Sequence, residues 1–245
     1  VEAYYNMGVT LHKQNTLHRA IETYKRVLEL EPSHTKAYSN LGIALHHQGN
    51  LDDAIVAYKR ALTQKPDYAP AWNNMGNALK DQGKLDDAIA AYESALALKP
   101  DYADAYNNMG IALQDQGKLD DAIAAYGRAL ALKPDYVDAC NNMGIALQNQ
   151  RKLDEAIAAY TRVLSLKPDF AYAYNNMGNA LKDQGKLDEA MAAYERALDL
   201  KPNYAYAYNN MGNALRMRGR INHAITAYKS ALAIQPGYVA AEAEL

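Results

Sequence analysis

Residues 105–110 read Ala105-Tyr106-Asn107-Asn108-Met109-Gly110, and with small variations this hexad returns at 3–8, 37–42, 71–76, 139–144, 173–178 and 207–212. The step is always 34 residues, without insertion or deletion. A fixed period of this length marks a stack of small like units rather than one globular core. Outward from the hexad the periods run 1–34, 35–68, 69–102, 103–136, 137–170, 171–204 and 205–238, with 239–245 opening an eighth as a truncated helix. All 245 residues thus read as one domain. The start at Val1 and the stop inside an unfinished period point to a piece of a longer protein.

Each period divides into two amphipathic helical patterns. At roughly 100° per residue, Tyr106, Met109, Gly110 and Leu113 share one side of a helix over 103–115, while Asp104, Asn108 and Ile111 share the other. Gly117 then supplies the left-handed residue that closes a helix. A second helix is predicted from Leu119, with Asp120 and Asp121 at its positive end and Pro134 beyond its finish. Asp135 reads as the N-cap of the next helix, with Asp138 in capping-box spacing. The unit is helix, tight turn, helix.

Composition narrows the function classes. A net charge of -2, from 26 basic and 28 acidic residues, recommends neither nucleic acid nor an anionic membrane as partner. No apolar run approaches the roughly 18 residues that span a bilayer, and there is no secretory signal. The lone Cys140 excludes an internal disulfide and favours a reducing, cytoplasmic setting.

Across one period an aromatic, then Leu or Met followed by Gly, then Leu, Ala, Tyr, Ala and Pro recur; in the second they are Tyr38, Leu41, Gly42, Leu45, Ala54, Tyr58, Ala61 and Pro66. This series, in phase over the whole chain, resembles the tetratricopeptide repeat. The resemblance implies an all-α, right-handed superhelical solenoid of seven helix-turn-helix units plus a partial eighth, acting as a protein-interaction scaffold. Gly42 and Ala54 would sit where two helices cross closely, and Tyr58 and its equivalents would fill the layers between them.

Asparagine carries the functional signal, because an amide gains nothing from an interior unless it is paired. It is sixth in every period, as Asn6, Asn40, Asn74, Asn108, Asn142, Asn176 and Asn210. A second row at the fifth position comprises Asn73, Asn107, Asn141, Asn175 and Asn209. By the resemblance these line a concave groove and hold the backbone of an extended peptide, like the asparagine ladders of O-linked N-acetylglucosamine transferase and kinesin light chain. The same amides would also serve as bridges keeping neighbouring helices in register. The carboxylate clamp of chaperone cochaperones is disfavoured, since no sixth residue is basic and the fifth residues are Tyr5, Ser39 and then Asn.

Specificity is expected where groove positions vary. The ninth position is apolar at Ile43, Ile111 and Ile145 but polar at Asn77, Asn179 and Asn213. Asp81, Asp104, Asp115 and Asp138 make the middle acidic, whereas Lys182 and Arg216 make the far end basic. Asp104 and Asp138 also read as ordinary helix N-terminal residues. Tyr172 and Tyr206, at the second position, offer stacking or hydroxyl contacts. His12, His46 and His47 gather near one end without completing a metal set. No catalytic constellation and no phosphate-binding glycine loop occurs, so neither enzymatic activity nor a cofactor is expected.

Two rival functions remain. One is a scaffold that stacks end to end, because Glu242 stands where an aromatic belongs and the flank around Ile225, Tyr228 and Leu232 lacks a polar cap. The other is the substrate-recognition arm of a glycosyltransferase whose catalytic domain lies outside these residues. The fifth period departs most from the pattern, with Cys140 in place of the aromatic and Arg151 in place of the turn glycine. Hydrogen exchange is expected to be fastest, among internal periods, over 137–170.

Overall fold

A computed structural model describes residues 1–237 and Ala241. The expectations for 239–245 therefore lie outside the described residues, Ala241 apart. Among the described residues there are fourteen helices and no strand. They are α1 Glu2–Lys13, α2 Leu17–Leu30, α3 Thr35–His47, α4 Leu51–Gln64, α5 Ala69–Asp81, α6 Leu85–Leu98, α7 Ala103–Asp115, α8 Leu119–Leu132, α9 Val137–Asn149, α10 Leu153–Leu166, α11 Ala171–Asp183, α12 Leu187–Leu200, α13 Ala205–Met217 and α14 Ile221–Ile234. The chain divides into two compact bodies, Val1–Leu132 and Lys133–Leu245.

Within each body the helices pack in chain order. In the first, α1 to α8 touch successively, and α1, α3, α5 and α7 also touch along one side; in the second, α9 to α14 repeat the scheme, with α9, α11 and α13 in line. Among the described residues the substantial contacts all join a helix to one of the next two in the chain. Each repeat therefore owes its burial to its own partner helix and its immediate neighbours.

The core of a repeat is one tyrosine facing one glycine. Tyr58, Tyr92, Tyr126, Tyr160 and Tyr194 are wholly buried. A Cβ on Gly42 would lie 2.5 Å from Cε1 of Tyr58, and the same collision recurs at every equivalent glycine. The close approach read from sequence is thus an approach to a ring on the second helix rather than to its backbone. Ala54, Ala88, Ala122 and their equivalents, fully buried, let the two helices come near enough to hold that ring.

Both turns are set by backbone chemistry. Gly117 has φ +78, and its N–H bonds to the Gln114 carbonyl while Lys118 N–H reaches Leu113, a Schellman closure. Arg151 keeps the same bonds at φ 63, so the fifth repeat holds the glycine geometry with a side chain present. At the other turn the N-cap is not aspartate: α9 begins at Val137, Tyr136 occupies the cap and no side chain bonds there. The ring serves packing instead, with Lys133 Nζ 4.5 Å from its centroid, as Lys99 is from Tyr102. Asp104 and Asp138 lie in first turns, where the helix dipole favours their charge.

Candidate functional site

Within each body the first helices align their fifth, sixth and ninth positions, and side-chain amides tie neighbouring ones together. In the first body Asn40 Nδ2 donates to the Tyr5 hydroxyl (3.1 Å) and Asn108 Nδ2 to Asn73 Oδ1 (3.1 Å). In the second, Asn176 donates to Asn141 Oδ1 (3.3 Å) and Asn210 to Asn175 Oδ1 (3.0 Å). These four sixth-position amides thus reach back to the fifth position of the preceding repeat. The fifth-position amino group turns to its own neighbour, as from Asn73 to Asn74 (3.3 Å), Asn107 to Asn108 (3.4 Å) and Asn175 to Asn176 (3.5 Å).

The two rows lie at different depths. Asn73, Asn107, Asn175 and Asn209 are only 4–5% exposed. Asn40, Asn74, Asn108, Asn142, Asn176 and Asn210 are half-buried, and Asn6 is exposed with its amino group 3.4 Å from Glu2. The fifth-position row is therefore an underlayer, and the sixth-position row is the surface a ligand would meet.

The ninth-position asparagines answer to the core. Tyr92, Tyr194 and Tyr228 donate their hydroxyls to Oδ1 of Asn77 (2.7 Å), Asn179 (2.8 Å) and Asn213 (2.8 Å). Where the ninth residue is Ile111 or Ile145, the hydroxyls of Tyr126 and Tyr160 turn to Gln114 and Gln148, each at 3.2 Å. With Ile43 and His46 at those places, the Tyr58 hydroxyl is buried without a partner. Burial pushes the phenols of Tyr58, Tyr92 and Tyr160 far above their ordinary value.

Charged positions on the first helices are also engaged, within and across repeats. His46 Nε2 lies 2.7 Å from Asp81, which Lys80 also approaches at 2.8 Å, and Gln148 donates to Asp183 at 3.2 Å. Lys182 sits 3.7 Å from Asp183. His12 and His47 share a hydrogen bond of 3.0 Å.

One end of the second body gathers these positions around a cleft of about 730 Å³. Its floor holds Asn175, Asn176, Asn179 and Asn210, and its walls hold Tyr172, Tyr204 and Tyr206. Tyr172 and Tyr206 are 43% and 52% exposed. Tyr172 meets Tyr204 edge-on at 5.2 Å, and Lys201 Nζ donates to the Tyr172 hydroxyl at 2.6 Å. Sequence reasoning named the asparagines, Tyr172 and Tyr206 but missed Lys201 and Tyr204. Their signal was the recurring Lys-Pro-x-aromatic turn. It also missed a rung at the turns, where Gln82, Gln116 and Gln184 donate to Asp52, Asp86 and Asp154 of the preceding repeat at 2.7–2.8 Å.

Models of the tetratricopeptide repeat match residues 5–69, 57–90, 103–136 and 205–238, and a model of the TPR repeat matches 76–117, 150–185 and 178–217. No curated protein sequence matches the chain. Among solved structures, MamA is 32% identical with a TM-score of 0.62, over 66% of this chain and 95% of that one. A chain of the APC/C hetero-tetramer Cut9–Hcn1 matches all of this chain at 22% identity and a TM-score of 0.77, and this chain spans 48% of its length. YrrB, described as a TPR protein with an unusual peptide-binding site, is 24% identical with a TM-score of 0.60, over 76% of this chain and 96% of that one. At such identities the last two are alike in fold alone. No helix among the described residues is long and apolar enough to cross a membrane.

Proposed function

The chain belongs to the tetratricopeptide repeat family of protein-interaction scaffolds, and we propose that it holds extended peptide segments along its first helices through sixth-position asparagine amides. One observation carries this: Asn40, Asn108, Asn176 and Asn210 are half-buried and each is bridged to the fifth position of the preceding repeat, so their amides are pre-positioned without being sealed off. An amide nitrogen carries two hydrogens, and the bridge engages one of them. The other remains for a backbone carbonyl of the ligand. Each such bond contributes about 0.5–1.5 kcal/mol net, and ordering the ligand offsets much of the sum. A single short peptide is expected to bind with micromolar affinity. A non-catalytic role fits this arrangement, and a reducing, cytoplasmic setting fits the buried free thiol of Cys140.

Fluorescence polarisation with a panel of labelled disordered peptides tests the reading. The parent is compared with a variant carrying Asn74→Ala, Asn108→Ala, Asn176→Ala and Asn210→Ala. Support is binding by the parent that is largely lost in a variant of unchanged helical circular dichroism. Binding that survives the four substitutions, or is absent from the parent, overturns it.

A further inference from the structure

The cleft of Tyr172, Tyr204 and Tyr206 sets angled aromatic rings beside a floor of amide donors, and from this we infer that it takes a proline-rich segment in the polyproline II conformation. The inference rests on the peptide-holding reading above and narrows it to one ligand class. On the cleft floor three asparagine oxygens already accept a hydrogen bond each. Asn175 Oδ1 takes one from Asn210 (3.0 Å), Asn176 Oδ1 one from Asn175 (3.5 Å) and Asn179 Oδ1 one from Tyr194 (2.8 Å). The floor also offers donors to a ligand carbonyl: the Asn179 amino group and the second amino hydrogens of Asn176 and Asn210, beside the Lys201 ammonium. Proline brings a carbonyl and no N–H, so these donors meet all the hydrogen-bonding needs of its backbone.

The walls favour the same ligand. Aromatic-lined grooves hold polyproline segments because the pyrrolidine rings lie against the aromatic faces and the chain is already extended before it binds. Tyr172 and Tyr204 stand 70° apart, Tyr204 and Tyr206 57° apart, so the rings form angled slots rather than a flat patch. Spacing adds a register. Tyr172 and Tyr206 are one repeat apart, and adjacent first helices lie roughly 10 Å from each other. A polyproline II helix shows the same face every third residue, about 9 Å along its axis. Prolines three apart would therefore meet Tyr172 and Tyr206 in turn. Lys201 Nζ, 4.5 Å from the Tyr172 centroid and 5.0 Å from that of Tyr204, sets a positive charge at the wall and selects against Lys or Arg in the segment.

The test uses labelled decaproline, a Gly-Ser peptide of equal length and oligoglutamate, with fluorescence polarisation on the whole chain. Decaproline should bind about ten-fold more tightly than the Gly-Ser peptide. The double variant Tyr172→Ala, Tyr206→Ala should lose that preference while keeping its helical circular dichroism, because both rings are exposed. Tyr206→Ala alone, the more exposed position, gives the same comparison with the least disturbance of the fold. No preference for decaproline, a preference untouched by these substitutions, or tighter binding of oligoglutamate overturns the inference. If disordered peptides bind through the asparagines while decaproline does not, the inference fails and the broader reading stands. If no peptide binds, both fail.

Discussion

At the scale of single residues, the buried tyrosines separate packing from hydrogen bonding. Tyr58 and Tyr92 fill equivalent slots and are equally buried, yet the Tyr92 hydroxyl donates to Asn77 while that of Tyr58 has no partner. Tyr92→Phe is expected to destabilise by about 1–2 kcal/mol, since it removes a bond and strands the Asn77 oxygen. Tyr58→Phe is expected to be neutral or stabilising, because it deletes a buried hydroxyl that nothing satisfies. Paired urea titrations by circular dichroism measure the difference, and equal losses would show that the two hydroxyls are equivalently served. The slots themselves were legible in sequence, because glycine and tyrosine recur in phase. The partner was not. It depends on the ninth residue and, where that is isoleucine, on whether the twelfth is Gln114 or His46, choices that look like groove variation until the ring beneath is seen.

At the scale of elements, the first helices are held in register by side-chain rungs, and one of these is sensitive to pH. Burial and then the neighbouring His47 hold the His12 pKa below its ordinary value of 6.5. The folded chain therefore binds fewer protons at His12 than the unfolded chain, so this contribution is complete above the unfolded value. It declines as pH falls through that value and levels off below the folded one. Asp81 acts in a lower window. Burial works to raise its carboxyl, but bonds from Lys80 and His46 outweigh that and leave it below the usual carboxylate range. Its contribution is present above the unfolded pKa and lost as pH drops through the folded one. Melting temperature is therefore expected to fall between about pH 7 and pH 5 and again in stronger acid. His12→Gln should flatten the first step and spare the second. A first step unchanged in that variant would place it elsewhere. Such rungs are hard to read from sequence because the partners stand 35 residues apart. Only the period brings them together, and it does so for every position alike, so it cannot say that Asn108 chooses Asn73 or that Gln82 chooses Asp52.

At the scale of the whole molecule, a repeat array has no single core whose loss unfolds everything. Its stability is close to a sum of repeat terms and neighbour terms, so a weak repeat shows as local opening rather than as a lower global value. The repeat at 137–170 combines two weaknesses. Cys140 stands where other repeats hold a large aromatic, and although it is 2% exposed with its thiol 3.4 Å from the Ala159 carbonyl, it brings far less apolar surface. Arg151 holds a left-handed conformation at a cost of about 1–2 kcal/mol relative to glycine. The break between the two compact bodies, after Leu132, falls just before this repeat. Amide hydrogen exchange is expected to be fastest among internal repeats over 137–170, and the double substitution Cys140→Tyr, Arg151→Gly should slow it there while leaving α3 to α6 unchanged. Uniform protection across the internal repeats would refute the local weakness. Slowing spread over every helix would refute the nearest-neighbour description instead, because a gain made in one repeat can be felt several repeats away only if the array unfolds as one.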